Sequence, residues 1–514
     1  MTVSQANAAS YFVDRNADGA AGGKTAFVEA DGAGRSITYS ELKEQTGRMA
    51  GMLTRHGLRH EDRIACLILD QIDYPVAFWG ALKAGVVPVA LNTLLAASVY
   101  DVILRDCRAR ALVVSAPLWP LVAPLIGQLP YLEKVFYIGA DGPEGTLDFA
   151  AELAASAPAP ALAVAPDEVA FWLYSSGSTG EPKGVKHVHA ALKATADTYG
   201  AQVLAIEPGD TVFSAAKIFF AYGLGNAMTF PMSVGATTVL YSGRPTPESV
   251  IDILARLRPT VFCGVPTLYA AMVAHLERHG VPDAPLRRCI SAGEALPAEV
   301  GRHWHRLWGV DILDGVGSTE MLHIFLSNAP GDVVYGTSGV AVPGYALRLV
   351  DEAGDDVSDG EVGELLVLGE SAADGYWNKR AKSRETFQGH WTRTGDKYER
   401  RPDGRFVYCG RTDDMLKVSG IWVSPFEVES ALVTHPAVLE AAVVGRADDE
   451  GLIKPRAFVV LKEGASREGL EEALKEHVKA QIGKWKYPRW IEVVDDLPKT
   501  ATGKIQRFKL REAG

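Results

Sequence analysis

Between Thr38 and Val114 the sequence switches repeatedly between two hydrophobic periods, and this alternation restricts the chain to sheets covered by helices. Thr38-Tyr-Ser-Glu41 has capping-box spacing, in which a hydroxyl and a carboxylate each satisfy a backbone N–H of the first helical turn. It opens an amphipathic helix predicted to run to about His56. Arg63-Ile-Ala-Cys-Leu-Ile-Leu69 then reads as a buried strand. A helical stretch Tyr74–Lys83, a strand Val86–Leu91, a helix Tyr100–Arg108 and a strand Ala111-Leu-Val-Val114 repeat the scheme. Such alternation predicts parallel strands joined by helical crossovers.

At 514 residues the chain is too long for one hydrophobic core, so at least two domains are expected. The composition shifts near Gly410-Arg-Thr-Asp-Asp414, which divides a domain over 1–411 from one over 412–514. In the second part Ser424-Pro-Phe-Glu427 combines a serine cap, proline at the first helical position and glutamate at the third. The helix it opens is predicted to reach Val433. Strands Val438–Val444 and Arg456–Leu461, a helix around Leu470–Ile482 and a strand Trp490–Val494 complete a small α+β unit. The fold class is therefore α/β, a large N-terminal domain of helix-covered sheets with a smaller α+β C-terminal domain.

A formal net charge of −11 argues against a nucleic-acid surface, and it means that anionic substrates must be held by local cations. Cys66, Cys107, Cys263, Cys289 and Cys409 are scattered, with no C-x-x-C pair, which fits buried thiols in a reducing compartment. No apolar run approaches the ~20 residues that span a bilayer, and the N-terminus has no charged-then-apolar leader. A cytoplasmic protein without a membrane or nucleic-acid partner is expected, as a monomer or homodimer.

The strongest chemical signal is Tyr174-Ser-Ser-Gly-Ser-Thr-Gly-Glu-Pro-Lys-Gly-Val-Lys186, which follows the strand-like Val169-Ala-Phe-Trp-Leu173. Gly177 and Gly180 can adopt positive φ, which lets backbone N–H groups converge on phosphate oxygens. Ser175, Ser176, Ser178 and Thr179 add hydroxyl donors, and Lys183 adds a mobile cation. A triphosphate-binding turn between a strand and a helix is the expectation. It is not a Walker A loop, because Pro182 precedes Lys183 and Gly184 follows it.

This segment resembles the nucleotide loop of the adenylate-forming superfamily, which comprises acyl-CoA synthetases, adenylation domains and luciferases. Within that superfamily the chain looks most like benzoate- and hydroxybenzoate-CoA ligases. The resemblance spans nearly the whole chain, with the motifs in the family's order. It implies ATP, Mg²⁺ and coenzyme A as the reacting partners of an aromatic carboxylate.

The resemblance also carries roles onto particular residues. Thr179 and Lys183 would contact the β and γ phosphate oxygens. Asp314-Gly-Val-Gly-Ser-Thr-Glu-Met321 resembles the family's Y-G-x-T-E motif, with Val316 where many relatives carry an aromatic. Glu320, with Thr179, would hold Mg²⁺, Thr319 would bond the α-phosphate, and Asp314, Gly315 and Ser318 would line the nucleotide. Ser291-Ala-Gly-Glu-Ala-Leu-Pro297 would supply an adenine-side wall at Gly293, Glu294 and Ala295. Trp391-Thr-Arg-Thr-Gly-Asp396 resembles the T-G-D motif, which gives Asp396 the ribose hydroxyls and Arg411 the ribose or a phosphate.

Pro498-Lys-Thr-Ala-Thr-Gly-Lys-Ile-Gln-Arg507 resembles the family's C-terminal lysine motif. Lys504 would neutralise charge as a carboxylate oxygen meets the α-phosphorus. Asp413 matches the family's hinge, about which a mobile lid domain rotates. The rotation would bring Lys417, Gly420, Ile421 and Trp422 to the pantetheine path. Ile218-Phe-Phe-Ala-Tyr-Gly-Leu-Gly225 and Leu322-His-Ile-Phe-Leu-Ser327 occupy the family's acyl-pocket positions. Ala221, Tyr222, Gly223, Phe230, Gly317, His323 and Ile324 are the candidate ring contacts, and Phe219 and Phe325 are expected to be ordinary core. His323 would orient the carboxylate or a ring hydroxyl, or serve as a supporting histidine.

These residues together predict a benzoate- or hydroxybenzoate-CoA ligase, with the active site between the two domains. Two other readings remain at this stage. One is a stand-alone enzyme that adenylates an aryl acid and loads a carrier protein. The other is a nucleotide-binding regulator that has lost catalysis.

Overall fold

The computed structural model describes residues 6–176, 181–412, 414–418, 421–448, 452–483, 486–499 and 505–512. The chain divides into two compact units. The first comprises Met1–Tyr335, Ala341–Ala346 and Val367–Thr392, and the second comprises Gly336–Val340, Leu347–Leu366 and Arg393–Gly514.

The first unit is built on two large sheets whose central strands are parallel. In one, Ile312–Gly317, Arg288–Ser291, Val261–Gly264, Thr211–Ser214, Thr237–Leu240 and Thr25–Glu29 lie side by side in that order, all parallel. In the other, Val169–Ser176, Val87–Ala90, Arg63–Leu67, Ala111–Ser115, Lys134–Ile138 and Leu147–Asp148 do the same. Val87–Ala90 and Ala111–Ser115 are buried at every position. That is why they read as unbroken apolar runs and not as alternating ones: helices cover both faces of a parallel sheet.

The predicted capping box is present. Thr38 accepts from the backbone N–H of Glu41 at 3.2 Å, and the Glu41 carboxylate accepts from the N–H of Thr38 at 2.8 Å. The helix Tyr39–Arg55 starts there and packs on the helix Asp73–Lys83. Phe12 stacks on Trp79 at 5.3 Å, and Phe78 meets Phe171 edge-on at 5.5 Å, so the helix is joined to the strand that leads into the serine- and glycine-rich turn. Each such large side chain withdrawn from water contributes roughly 1.5–3 kcal/mol.

In the second unit the strands Val438–Ala447 and Ile453–Leu461 pair antiparallel, and Trp490–Val493 joins them in parallel. Helices Pro425–Val433 and Leu470–Ile482 pack on this sheet through Val428, Leu432, Leu474 and Val478. The Ser424 hydroxyl accepts from the N–H of Glu427 at 3.1 Å, as its spacing requires. The terminal helix Arg507–Glu512 is tied down by Arg507, whose guanidinium donates to Glu429 at 2.7 Å, and by an ion pair between Arg511 and Asp414. All five cysteines are free and buried. Among the described residues no helix is long and apolar enough to cross a membrane.

Close backbone approach limits one helix in a way that can be measured. A Cβ on Gly51 would lie 2.0 Å from the carbonyl oxygen of Ala157, a backbone atom that cannot rotate away. Alanine gains about 1 kcal/mol of helix propensity over glycine, but overpacking of this kind costs about 1–3 kcal/mol. Because the clash is with main chain, Gly51→Ala is expected to destabilise the protein by about 1–2 kcal/mol net. Urea unfolding checks this, and an unchanged or raised midpoint would contradict it.

Candidate active site

The serine- and glycine-rich turn joins two antiparallel strands, Val169–Ser176 and Pro182–Val188. The expectation of a helix after the turn is corrected here: a strand follows it. Ser175 faces Lys183 in the ladder and Ser176 faces Pro182, so Lys183 stands on a paired strand. Its ammonium lies 3.7 Å from Glu320 Oε1, 3.4 Å from the Tyr376 hydroxyl and 4.5 Å above the centre of the Tyr376 ring. Tyr376 donates to the same Glu320 oxygen at 2.7 Å. At an effective dielectric constant near 20, two unit charges at this spacing attract by about 4 kcal/mol before desolvation is subtracted.

Glu320 sits in the turn that follows the strand Ile312–Gly317. The Ser318 hydroxyl accepts from the N–H of Met321 at 3.1 Å, and the carbonyl of Glu320 accepts from the N–H of Ala373 at 2.8 Å. Leu322 adopts φ +65°, a left-handed conformation that costs a leucine about 1–3 kcal/mol and persists only where surrounding contacts enforce it. Those contacts include the Ser371 hydroxyl donating to the carbonyl of Met321 at 2.7 Å. The turn therefore fixes Glu320 on one side of the strained leucine and His323 on the other.

His323 is the centre of an aromatic pocket. The rings of Phe230, Tyr199 and Tyr222 stand 4.5, 5.2 and 5.7 Å from it. Its Nε2 is 3.3 Å from the carbonyl of Tyr222, while its Nδ1 is buried with no hydrogen-bond partner among the described residues. Burial pushes its pKa down to about 3, so the ring is neutral. The Tyr222 hydroxyl lies 3.1 Å from the carbonyl of Gly264 and 3.2 Å from that of Ile290. Both carbonyls are at the carboxyl ends of parallel strands, the usual place for a ligand in an α/β fold.

Space around His323 is set by glycine. A Cβ on Gly225 would fall 2.4 Å from the His323 ring, and one on Gly317 would fall 2.5 Å from the His323 carbonyl oxygen. Gly317 pairs with Ile324 across the sheet edge. Gly223 opens onto Lys217, whose carbonyl oxygen a Cβ would meet at 2.0 Å. Ala221, Tyr222 and Gly223 form the short helix Ala221–Leu224.

Asp314 pairs with Ser291 between neighbouring parallel strands and accepts from the N–H of Leu296 at 3.4 Å. This ties it to the turn carrying Gly293, Glu294 and Ala295, where Gly293 takes φ +98°. Complete burial raises the Asp314 carboxyl well above the usual carboxylate range. In the second unit Asp396 and Arg411 face each other across an antiparallel pair, Nη1 to Oδ1, at 2.9 Å. Gly395 takes φ +72°, and a Cβ there would meet the Arg411 guanidinium at 2.9 Å.

Residues 13–377 match the AMP-binding enzyme family, and residues 427–504 match the AMP-binding enzyme C-terminal domain. The chain belongs to the AMP-binding enzymes. It is 55% identical to a benzoate–CoA ligase of Thauera aromatica, over 99% of this chain and 96% of that one. It is 53% identical to a 4-hydroxybenzoate–CoA/benzoate–CoA ligase of Rhodopseudomonas palustris, over 98% and 94%. A crystallised benzoate CoA ligase from Burkholderia xenovorans has the same fold, with a TM-score of 0.90 at 52% identity, covering 98% of this chain and 99% of that one.

For an AMP-binding enzyme the first unit thus brings together Lys183 and Glu320 on one side, and Ala221, Tyr222, Gly223, Phe230, Gly317, His323 and Ile324 on the other. Phe219 and Phe325 are buried core. Gly177, Ser178, Thr179, Gly180, Asp413, Gly420 and Lys504 lie outside the described residues. Lys499 and Ile505 form an isolated bridge on either side of the Lys504 segment. The backbones of Lys417, Ile421 and Trp422 form a hairpin, with Lys417 opposite Trp422 and Val418 opposite Ile421.

Sequence reading missed Tyr376. It lies in Ser371-Ala-Ala-Asp-Gly-Tyr-Trp-Asn378, and no local pattern in that stretch points to a partner strand. Gly375 takes φ +142° and pairs with Lys186, which lays Tyr376 opposite Val185 and turns its hydroxyl to Glu320.

Three buried histidines in this unit generate a pH dependence. Burial lowers His187 and His323 to about 3 and His189 to about 4, from an ordinary value of 6.5. In keeping with an unprotonated ring, His189 Nδ1 accepts from the N–H of Ala8 at 3.2 Å. The unfolded chain takes up these protons first, so the stability is intact above 6.5 and is lost as pH falls from there toward 3. Each histidine is worth about 2 kcal/mol between pH 7 and pH 5. His187→Phe, which keeps a ring beside Phe171, is expected to shrink the pH 7-to-5 loss of unfolding free energy by about that amount. Urea titrations at the two pH values measure it, and an undiminished loss would contradict the assignment.

Proposed function

We propose that the protein joins benzoate or a hydroxybenzoate to coenzyme A at the expense of ATP, through an aryl-AMP intermediate. The observation that carries this reading is the turn Ser318–His323. It presents a phosphate-side carboxylate paired with Lys183 and, three residues later, a neutral histidine walled by aromatic rings. A flat apolar acid fits the second and a polyphosphate the first. The aryl-CoA ligases of Thauera aromatica and Rhodopseudomonas palustris, matched over nearly their whole length, support the same substrate class.

In the first half-reaction a carboxylate oxygen of the acid attacks the α-phosphorus of ATP, the bond to the β-phosphate breaks, and pyrophosphate leaves. Such transfers depend chiefly on positioning and charge neutralisation. The pocket of Ala221, Tyr222, Gly223, Phe230, Gly317, His323 and Ile324 holds the ring, and its lack of charge favours an aromatic body over a polar one. Lys183, with Thr179, takes the β and γ oxygens, Thr319 the α-phosphate, and Asp396 the ribose hydroxyls with Arg411 beside it. Lys504 neutralises the oxygen that meets the phosphorus. In the second half-reaction the CoA sulfur attacks the acyl carbon, the carbon–oxygen bond to phosphate breaks, and AMP departs with the thioester formed. Lys417, Gly420, Ile421 and Trp422 line the thiol's path when the domain 412–514 turns about Asp413.

The donor set fits magnesium: a single carboxylate, Glu320, beside hydroxyls suits an ion that keeps waters and takes phosphate oxygens as its other ligands. Glu320 and Thr179 would hold it, and when bound it would neutralise the charge on the leaving phosphates. The five free, buried thiols support a reducing, cytoplasmic setting.

Exchange of labelled pyrophosphate into ATP tests the reading directly. Benzoate should support it and CoA should then give benzoyl-CoA; no exchange with any aryl acid would refute the proposal. Release of thioester on CoA, but not on a pantetheinylated carrier protein, separates a CoA ligase from a carrier-loading enzyme. Lys504→Ala is expected to abolish exchange while still converting supplied benzoyl-AMP and CoA to thioester, and equal loss of both steps would contradict the role given to it. Tyr222→Ala is expected to broaden the range of ring-substituted acids accepted, which a screen of substituted benzoates would read.

A further inference from the structure

We propose that Tyr376 is a positioning residue that fixes which oxygen of Glu320 takes the metal ion. The inference rests on the ligase reading above. Among the described residues, the side-chain hydrogen bond to the Glu320 carboxylate falls on Oε1, which is also the nearer oxygen to Lys183. Tyr376 donates to it at 2.7 Å, and the Lys183 ammonium lies 3.7 Å from it. The phenol has a single proton, so its oxygen is left to accept, and Lys183 donates to it at 3.4 Å. The Thr386 hydroxyl lies 3.4 Å from the same oxygen. A chain therefore runs from ammonium to phenol to carboxylate. In such a chain each donor polarises the next and strengthens the last bond. Oε1 thus carries the bond from the phenol, which leaves Oε2 as the oxygen for a cation.

Tyr376 itself is held by main chain. It is 6% exposed and packs against Phe387 at 5.4 Å. Its N–H donates to the Ser383 hydroxyl at 3.0 Å. The neighbouring N–H groups of Asp374 and Trp377 donate to the carbonyls of Lys186 and Gly184 at 2.9 and 2.8 Å. The phenol is thus stitched to the strand that carries Lys183, and through the N–H of Ala373 to the carbonyl of Glu320. This makes it an outer-shell partner of a metal-holding carboxylate. Removing such a partner characteristically weakens metal binding by about 10–100-fold.

The test titrates Mn²⁺ by electron paramagnetic resonance, with α,β-methylene-ATP present, into the wild-type protein and Tyr376→Phe. The phenylalanine keeps the ring and removes only the hydroxyl. The Mn²⁺ dissociation constant is expected to rise about tenfold or more, with the affinity for the analogue in the absence of metal unchanged. Mn²⁺ constants within about twofold of each other, or an equal loss of metal-free nucleotide binding, overturn the proposal. Failure of the wild-type protein itself to bind Mn²⁺ with the analogue overturns the ligase reading as well, so the two failures are distinguishable. Replacement of Tyr376 by 3-fluorotyrosine preserves shape and hydroxyl and gives a measurement independent of the variant's folding. Its ¹⁹F resonance is expected to shift when Mg²⁺ and the analogue bind together but not when the analogue binds alone, and an unmoved resonance overturns the proposal.

Discussion

The hydrogen bond from Tyr376 to Glu320 is the contact on which the arrangement around Lys183 depends, because three separate backbone segments meet there. The strand Pro182–Val188 brings the ammonium, the turn after Ile312–Gly317 brings the carboxylate, and the two-residue strand Gly375–Tyr376 brings the phenol. None of these side chains fixes its own position. Each is set by main-chain bonds to a neighbour: Ala373 to Glu320, Asp374 to Lys186, Trp377 to Gly184. A charged group whose carrier is held by sheet pairing loses little freedom when a ligand arrives, and that is the physical meaning of preorganisation.

The surroundings of His323 follow the opposite principle. Where Lys183 and Glu320 concentrate charge, the pocket around His323 excludes it: the histidine is neutral, and burial raises the Tyr222 hydroxyl well above its ordinary pKa, so it too stays uncharged. A buried charge there would need a partner that the surrounding rings of Tyr199, Tyr222 and Phe230 cannot supply. In the ligase proposed above, the aromatic ring would lie at the uncharged end and the carboxylate toward the charged one. The strained Leu322 lies at that division. Its left-handed backbone reverses the chain within one residue, which places two environments of opposite character only three residues apart in sequence.

Much of this was legible in the sequence, for identifiable reasons. The capping box at Thr38 and the serine–proline–glutamate start at Ser424 are local hydrogen-bond patterns, and both form as their spacing requires. The helix predicted around Leu470–Ile482 has those same ends, because its apolar face has a clear period. The hairpin after Ser176 was misread because glycine and proline at Gly180 and Pro182 punctuate a strand-to-strand turn just as they do a strand-to-helix turn. What separates the two is the partner strand, which no local pattern names. Tyr376 was missed for the same reason. Its role comes from pairing with a strand almost two hundred residues earlier, and a lone Gly-Tyr gives no hint of that.

Electrostatics explains why the paired state matters for a chain of net charge −11. At physiological ionic strength the field of distant carboxylates is screened within about 8 Å, so an arriving polyphosphate responds mainly to its nearest groups. Lys183 in the first unit and Arg411 in the second each already have a carboxylate, Glu320 and Asp396. These pairings hold the cations in place before any substrate is bound, but they also leave little net positive charge to attract one. A polyphosphate arriving without its metal would have to separate Lys183 from Glu320 and leave a partly buried carboxylate facing phosphate oxygens. In the ligase proposed above, a polyphosphate arriving with a divalent cation would leave Glu320 paired with the cation and Lys183 paired with the phosphates. On that proposal the pairing would discriminate against the metal-free nucleotide, by the cost of separating Lys183 from Glu320 and not by any contact to the metal-free form.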